Sequence, residues 1–288
     1  MLEEFVAAEN LLEKAGLLNG KLPIPVDAIM EYMAREGLGL RYYNPGQAPG
    51  PIKAVASGVD EVLVYQKESA LLFVNQSRPL TRQRFSIFHG IGHFLLPGHR
   101  GLNYLAQGCT TMEPWTGKPY ERQADRFAAG MNMPPRRFRH HMALLPFGMQ
   151  TVEKLAQRYS ASMESAAIHY VDLADASCAL VWLEREYEEH GLLVPESQIK
   201  VRYQVSSASF PFRIQPGTAV PLDSELLWRC SQDEYLAEGV IKGEHLGLEP
   251  GTSLWADCLP QDHIGTVIAL VYPGNKAPQS VIDPLKVI

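Results

Sequence analysis

The sequence predicts an α+β protein, and three observations predict it. Apolar residues recur at helical spacing near the start. Short β-branched runs separated by turn residues follow, and after Ser177 a second series of short strands begins. The 288 residues allow one or two domains plus an appendage, expected as 1–145, a helix-turn-helix segment over 146–177, and an α+β region over 178–288.

Phe5, Ala8, Leu11 and Leu12 have the spacing of one helical face. Val26, Ile29, Met30 and Met33 make a second helix, which Pro23-Ile24-Pro25 can open. Strands are expected near Leu40 to Tyr43, Ile52 to Ser57, Glu61 to Tyr65 and Ala70 to Asn75, divided by Asn44-Pro45-Gly46, Gly58-Val59-Asp60 and Gln66 to Ser69. Thr81 is the expected N-cap of a long helix reaching about Leu96, stopped by Pro97-Gly98. A loop-like stretch from Arg100 to Lys118 precedes a helix over Tyr120 to Met131, which Pro134-Pro135 closes.

From Thr151 the pattern is helix, turn, helix: Val152, Leu155 and Ala156 form one stripe, Ser162 caps the next helix, and Ala166, Ala167, Tyr170 and Val171 form another. Strands are then expected over Cys178 to Leu183, Lys200 to Val205 and Thr266 to Tyr272, with a helix around Glu225 to Tyr235.

A net charge of -6 excludes a protein whose main business is coating nucleic acid. The local basic cluster Arg136, Arg137, Arg139, His140 and His141 reads as a solvated helix face. Mixed charges in the helix-turn-helix (Glu153, Lys154, Arg158, Glu164) disfavour direct DNA binding. The cysteines, Cys109, Cys178, Cys230 and Cys258, are far apart with no C-x-x-C pair, so neither a thiolate zinc site nor a dense disulfide framework is indicated. Met1-Leu2-Glu3-Glu4 is acidic where a signal peptide is basic, and no apolar stretch reaches membrane-spanning length. A reducing cytoplasm and no membrane partner are the expectations.

Chemistry concentrates in two segments. His89 and His93 lie four apart in a helical context, which sets both imidazoles on one face, as two ligands of a tetrahedral zinc require. Glu121 and Asp125 are also four apart, on a face overlapping the apolar stripe of Ala124 and Ala128. Two carboxylates turned toward a core are costly unless a cation or strong donors meet them. Zinc held by His89, His93 and Glu121, with Asp125 accepting a hydrogen bond from a ligand imidazole, answers both problems. Chance spacing and a solvated face pairing with Arg84, Arg122 or Arg126 are the plainer alternatives.

These segments resemble the ImmA/IrrE family of zinc metallo-endopeptidases, whose pattern runs R-R-F-T-x-A-H-E-x-G-H and later E-x-x-A-[DN]-x-F-A-x-x-L-L-M-P. Here the first reads Arg82-Gln83-Arg84-Phe85-Ser86-Ile87-Phe88-His89-Gly90-Ile91-Gly92-His93, and the second runs from Glu121 through Phe127-Ala128-Ala129-Gly130-Met131-Asn132-Met133-Pro134. The resemblance covers about residues 1–175. It implies a zincin-like, gluzincin-type domain in which His89, His93 and Glu121 take the metal and Asp125 supports a ligand. It also implies a partner class: XRE-type helix-turn-helix repressors, cleaved to induce stress-response or mobile-element genes. Some members carry a C-terminal sensor-like domain resembling GAF, for which the region after residue 178 is the counterpart.

The family's residue after the first histidine is a glutamate that moves the proton from water to the leaving amine; here Gly90 stands there and can do neither. A lost general base is worth roughly 10²–10⁴-fold. Glycine also costs a helix about 1 kcal/mol relative to alanine, so local folding gives no reason for it. A pseudopeptidase, an inactivated variant of an active parent, or a substitute carboxylate from the loop, with Glu113 nearest by sequence, are the explanations left open. In the same region Cys109 and His99 read as a partly buried thiol and a surface imidazole. The rivals from other classes are a regulatory module with a small ligand at its C-terminal domain, and a DNA-binding regulator built on residues 151–173.

Overall fold

The two apolar spacings near the start form α1 (Glu3–Lys14) and α2 (Val26–Arg35). Phe5, Ala8, Leu11, Leu12, Ile29, Met30 and Met33 are all buried. In this computed structural model, residues 2–53, 58–66, 69–99, 119–185, 198–233, 236–261 and 266–276 are described. The chain divides into two compact units, Met1–Phe138 with Leu155–Ala166, and Arg139–Lys154 with Ala167–Ile288. The mixture of helices and two sheets is the α+β class that the periodicities predict.

The first unit holds a three-stranded sheet in the order β1-β3-β2, with β1 (Leu38–Tyr43) parallel to β3 (Ser69–Asn75) and β2 (Glu61–Gln66) antiparallel to it. Leu72 occupies the centre of β3, opposite Leu40 on one side and Leu63 on the other. The strand expected from Ile52 is not formed at its start, because Gly50–Ile52 is a 3-10 turn in which Pro51 has no N–H for a ladder. Residues 54–57 lie outside the described residues.

The long helix, α3 (Leu80–Leu95), begins earlier than its expected cap. Both Arg82 and Gln83 donate backbone N–H groups to the carbonyl of Pro79, so Thr81 is already inside the helix. It ends at Leu95, where Leu96, the residue before Pro97, is extended. The next helix, α4 (Pro119–Asn132), packs against α3 and α1. Gly92 lets α3 approach closely: a methyl group there would lie 3.3 Å from the Ala124 Cα and 3.1 Å from the Phe127 ring. The Arg84 Nε, hydrogen-bonded to Asn132 Oδ1, ties the same two helices together.

Pro135 does not merely end α4; it opens α5 (Pro135–Ala143). The basic cluster on α5 is largely engaged within the chain. Arg136 pairs with buried Glu9, Arg137 donates to the carbonyls of Leu18 and Gly20, and Arg139 reaches the Leu173 carbonyl and Asp175. Helices α6 (Met149–Tyr159) and α7 (Met163–Leu173) follow, joined by a short turn. Ser162 Oγ accepts the N–H of Ser165 at 3.1 Å, the cap its position predicts.

The second unit is built on a six-stranded antiparallel sheet in the order β6-β5-β4-β9-β8-β7. Its strands are β4 (Ala179–Arg185), β5 (Ile199–Ser206), β6 (Ala219–Val220), β7 (Ala237–Lys242), β8 (Ser253–Pro260) and β9 (Thr266–Pro273). One helix, α8 (Glu225–Asp233), packs on β7, β8 and β9. Strands β6, β7 and β8 escape the sequence pattern: β6 has two residues, and Gly239 and Asp257 interrupt the alternation of the others. No helix among the described residues is long and apolar enough to cross a membrane.

Candidate metal centre

Helices α3 and α4 bring His89, His93 and Glu121 together. One donor atom from each lies within 4.8 Å of the other two, and no other such group of three occurs among the described residues. Glu121 Oε2 is 3.4 Å from the Nε2 atoms of both His89 and His93. A tetrahedron with ligand bonds of about 2.0–2.1 Å has edges of about 3.3–3.4 Å, so these separations are those of a zinc coordination shell.

The rings are held from behind. His89 Nδ1 donates to Glu61 Oε1 at the start of β2. His93 Nδ1 is hydrogen-bonded to His99 Nδ1 at 3.0 Å, and His99 Nε2 donates to Gln123 Oε1 at 3.1 Å. The direction of that relay follows from its last link. A neutral His99 that donates through Nε2 accepts through Nδ1, so His93 donates through Nδ1 and turns a bare Nε2 to the triangle. That Nε2 atom is buried and faces Glu121 Oε2 at 3.4 Å. Tyr65 of β2 adds a bond from its hydroxyl to the His93 carbonyl, at 3.0 Å.

Position and charge agree. The imidazoles of His89 and His93 are almost fully buried, while Glu121 and Asp125 are about one-third and one-quarter exposed, at 31% and 24%. Burial pushes the His89 imidazole down, but the charge on Glu61, together with hydrogen bonds that the ring donates to Glu121 and Glu61, outweighs it and holds its pKa well above the ordinary range. Burial lowers His93. Burial would raise the Glu121 carboxyl, yet the two imidazoles overcome it and keep the group ionised far below its usual range. Three carboxylates around two imidazoles therefore demand positive charge, from a proton or a divalent cation.

Asp125 Oδ1 stands 3.4 Å from His89 Nε2, the nitrogen that faces the triangle. The hydrogen bond to the other nitrogen, expected of Asp125, belongs to Glu61. Burial, with the nearby Glu121 and Glu61 charges, carries the Asp125 carboxyl up to about 6 despite His89.

Gly90 lies on the turn between the two histidines, against the sheet. A methyl group placed there would meet Leu72, 2.7 Å from one Cδ and 3.1 Å from Cγ. Local helix propensity gives no reason for glycine at this position, but the sheet does: the Leu72 side chain fills the space. Glu113 and Cys109 lie outside the described residues.

Two site residues escape sequence reasoning. His99, expected at the surface, is fully buried beneath His93. Glu61 reads as the polar edge of a strand, although its neighbour Asp60 carries a signal: two adjacent acids open an apolar run. Asp60 is buried between Arg78 and Arg82, each 2.6 Å away, and the Arg82 pair ties the start of β2 to the first turn of α3.

Residues 54–169 match the family model described as the IrrE N-terminal-like domain, a peptidase family. A solved structure of a Mycobacterium tuberculosis transcriptional regulator is similar in fold, with a TM-score of 0.57 and 14% identity over 94% of this chain and 76% of that one. No curated protein sequence matches the chain.

Proposed function

We propose, since residues 54–169 match the IrrE N-terminal-like domain, that this chain is a zinc-holding protein of the ImmA/IrrE type with impaired proteolysis. It engages an XRE-type helix-turn-helix repressor in the control of stress-response or mobile-element genes. The reading places it in a reducing cytoplasm, in keeping with the free, buried thiols of Cys178, Cys230 and Cys258.

One observation carries the reading: the 3.4 Å separations of Glu121 Oε2 from two imidazole nitrogens whose far sides are already hydrogen-bonded. His89, His93 and Glu121 hold the ion, Glu61 and His99 orient the imidazoles, and Asp125 supports the group from the side. Bound zinc supplies Lewis acidity, polarising a peptide carbonyl and acidifying water. Position 90 offers no atom to carry a proton from water to a leaving amine, and the Leu72 side chain stands where a side chain at that position would begin. Recognition of the repressor thus outlasts efficient cleavage.

Zinc analysis of purified protein tests the site: one equivalent is expected in the wild type and none in His93→Ala. Absence of zinc from both removes the metal reading. Incubation with an XRE-type repressor tests the rest, with binding but little cutting expected from the wild type. Rapid stoichiometric cleavage by the wild type would overturn the impairment.

A further inference from the structure

A second candidate site lies in the C-terminal unit, beside the start of α8. A cavity of about 350 Å³ opens there, within the size range of small-molecule sites. Two of the residues lining it, Ser224 and His245, are 1% and 7% exposed. Ser224 Oγ and His245 Nδ1 are both buried with no hydrogen-bond partner. Buried polar atoms are nearly always paired, so two orphans on one cavity point to a group that completes them.

Ser224 immediately precedes α8, in the position from which a serine hydroxyl ordinarily caps its own helix. Its backbone takes part in the helix start, since Trp228 N–H donates to the Ser224 carbonyl at 3.1 Å. The hydroxyl does not cap. The N-terminus of α8 supplies partial positive charge, and the cavity wall adds Arg229 and Lys242. Asp223 and Glu225 also line the cavity and are exposed. Asp223 Oδ1 is 3.7 Å from His245 Nε2, on the opposite side of that ring from Nδ1.

We infer that this cavity binds a tetrahedral oxyanion, the phosphate group of a small phosphorylated molecule. The donors come from three elements: the start of α8, the end of β7 at Lys242, and the 3-10 turn Gly243–Leu246 that carries His245. Convergence from several directions suits four oxygens better than the two of a planar carboxylate. A phosphomonoester also carries acceptors for the Ser224 hydroxyl and, as a monoanion, a hydroxyl of its own, so it satisfies either tautomer of His245. The site is independent of the zinc reading, because all its residues lie in the second unit.

The test is an amide NMR titration of the full chain with inorganic phosphate, and separately with acetate, at constant ionic strength. Saturable shifts centred on Ser224, Leu226 and His245 are expected with phosphate, with acetate binding more weakly. Ser224→Ala and His245→Gln should each weaken phosphate by about tenfold or more, the scale of one charge-assisted hydrogen bond. Ser224→Ala should leave the thermal stability of the ligand-free chain unchanged or higher, because the hydroxyl it removes has no partner. His93→Ala should leave phosphate binding intact. No saturable shift, equal affinity in all variants, loss in His93→Ala, or acetate binding as tightly as phosphate would each overturn the inference.

Discussion

Leu72 and Gly90 form a matched pair: the end of the β3 side chain stands where a side chain at position 90 of α3 would begin. A side chain at position 90 therefore requires the Leu72 side chain to move. Gly90→Glu alone should destabilise the chain by about 1–3 kcal/mol through overpacking. Leu72→Ala in the same chain should recover part of that loss, although alone it should cost about 2–5 kcal/mol. Denaturant unfolding of the four proteins in this cycle measures the coupling. Strict additivity would mean that the two positions do not compete for space. Cleavage of a repressor by the double variant, and not by the wild type, would show that the remaining machinery is sound.

Glu61 holds the imidazole of His89 from a strand 28 residues away in sequence. A partner on the far nitrogen fixes ring orientation and raises ligand basicity. Glu61→Gln keeps the size but loses the charge, so zinc affinity should fall about 10–100-fold. Competition against a chromophoric chelator reads this directly, and unchanged affinity would remove Glu61 from the centre.

In the second unit, Asp257 on β8 accepts the N–H of Met149 at 2.7 Å, at the start of α6. Burial raises its carboxyl from 3.8 to about 6, against the Met149 bond and with help from Glu238. A carboxyl raised on folding gives stability that is present at low pH and lost as pH rises through the folded value. The displacement amounts to about 3 kcal/mol. Asp257→Asn keeps an acceptor for Met149 without the charge. It should gain on the wild type in denaturant unfolding as pH rises from about 4 to 7, whereas a constant difference would contradict the assignment.

Ser162 caps α7 through the Ser165 N–H. Ser162→Ala should cost about 1 kcal/mol in the same assay, and Ser162→Asp should retain most of the stability.

The sequence by itself determined what depends on short spacing. Residues four apart on a helix share a face, so the pairing of His89 with His93 and of Glu121 with Asp125 was legible, as were the apolar stripes of α1, α2, α6 and α7. The departure at Gly90 was equally plain, being one letter in a motif. Tertiary structure alone decided what crosses between elements. It brought Glu61 behind His89, buried His99 beneath His93, pressed Leu72 against Gly90, and set Asp257 on the N-terminus of a helix 108 residues earlier. The physical reason is that periodicity reports which face a residue occupies within its own element. The residue it meets depends on sheet register and helix packing, which no local pattern encodes.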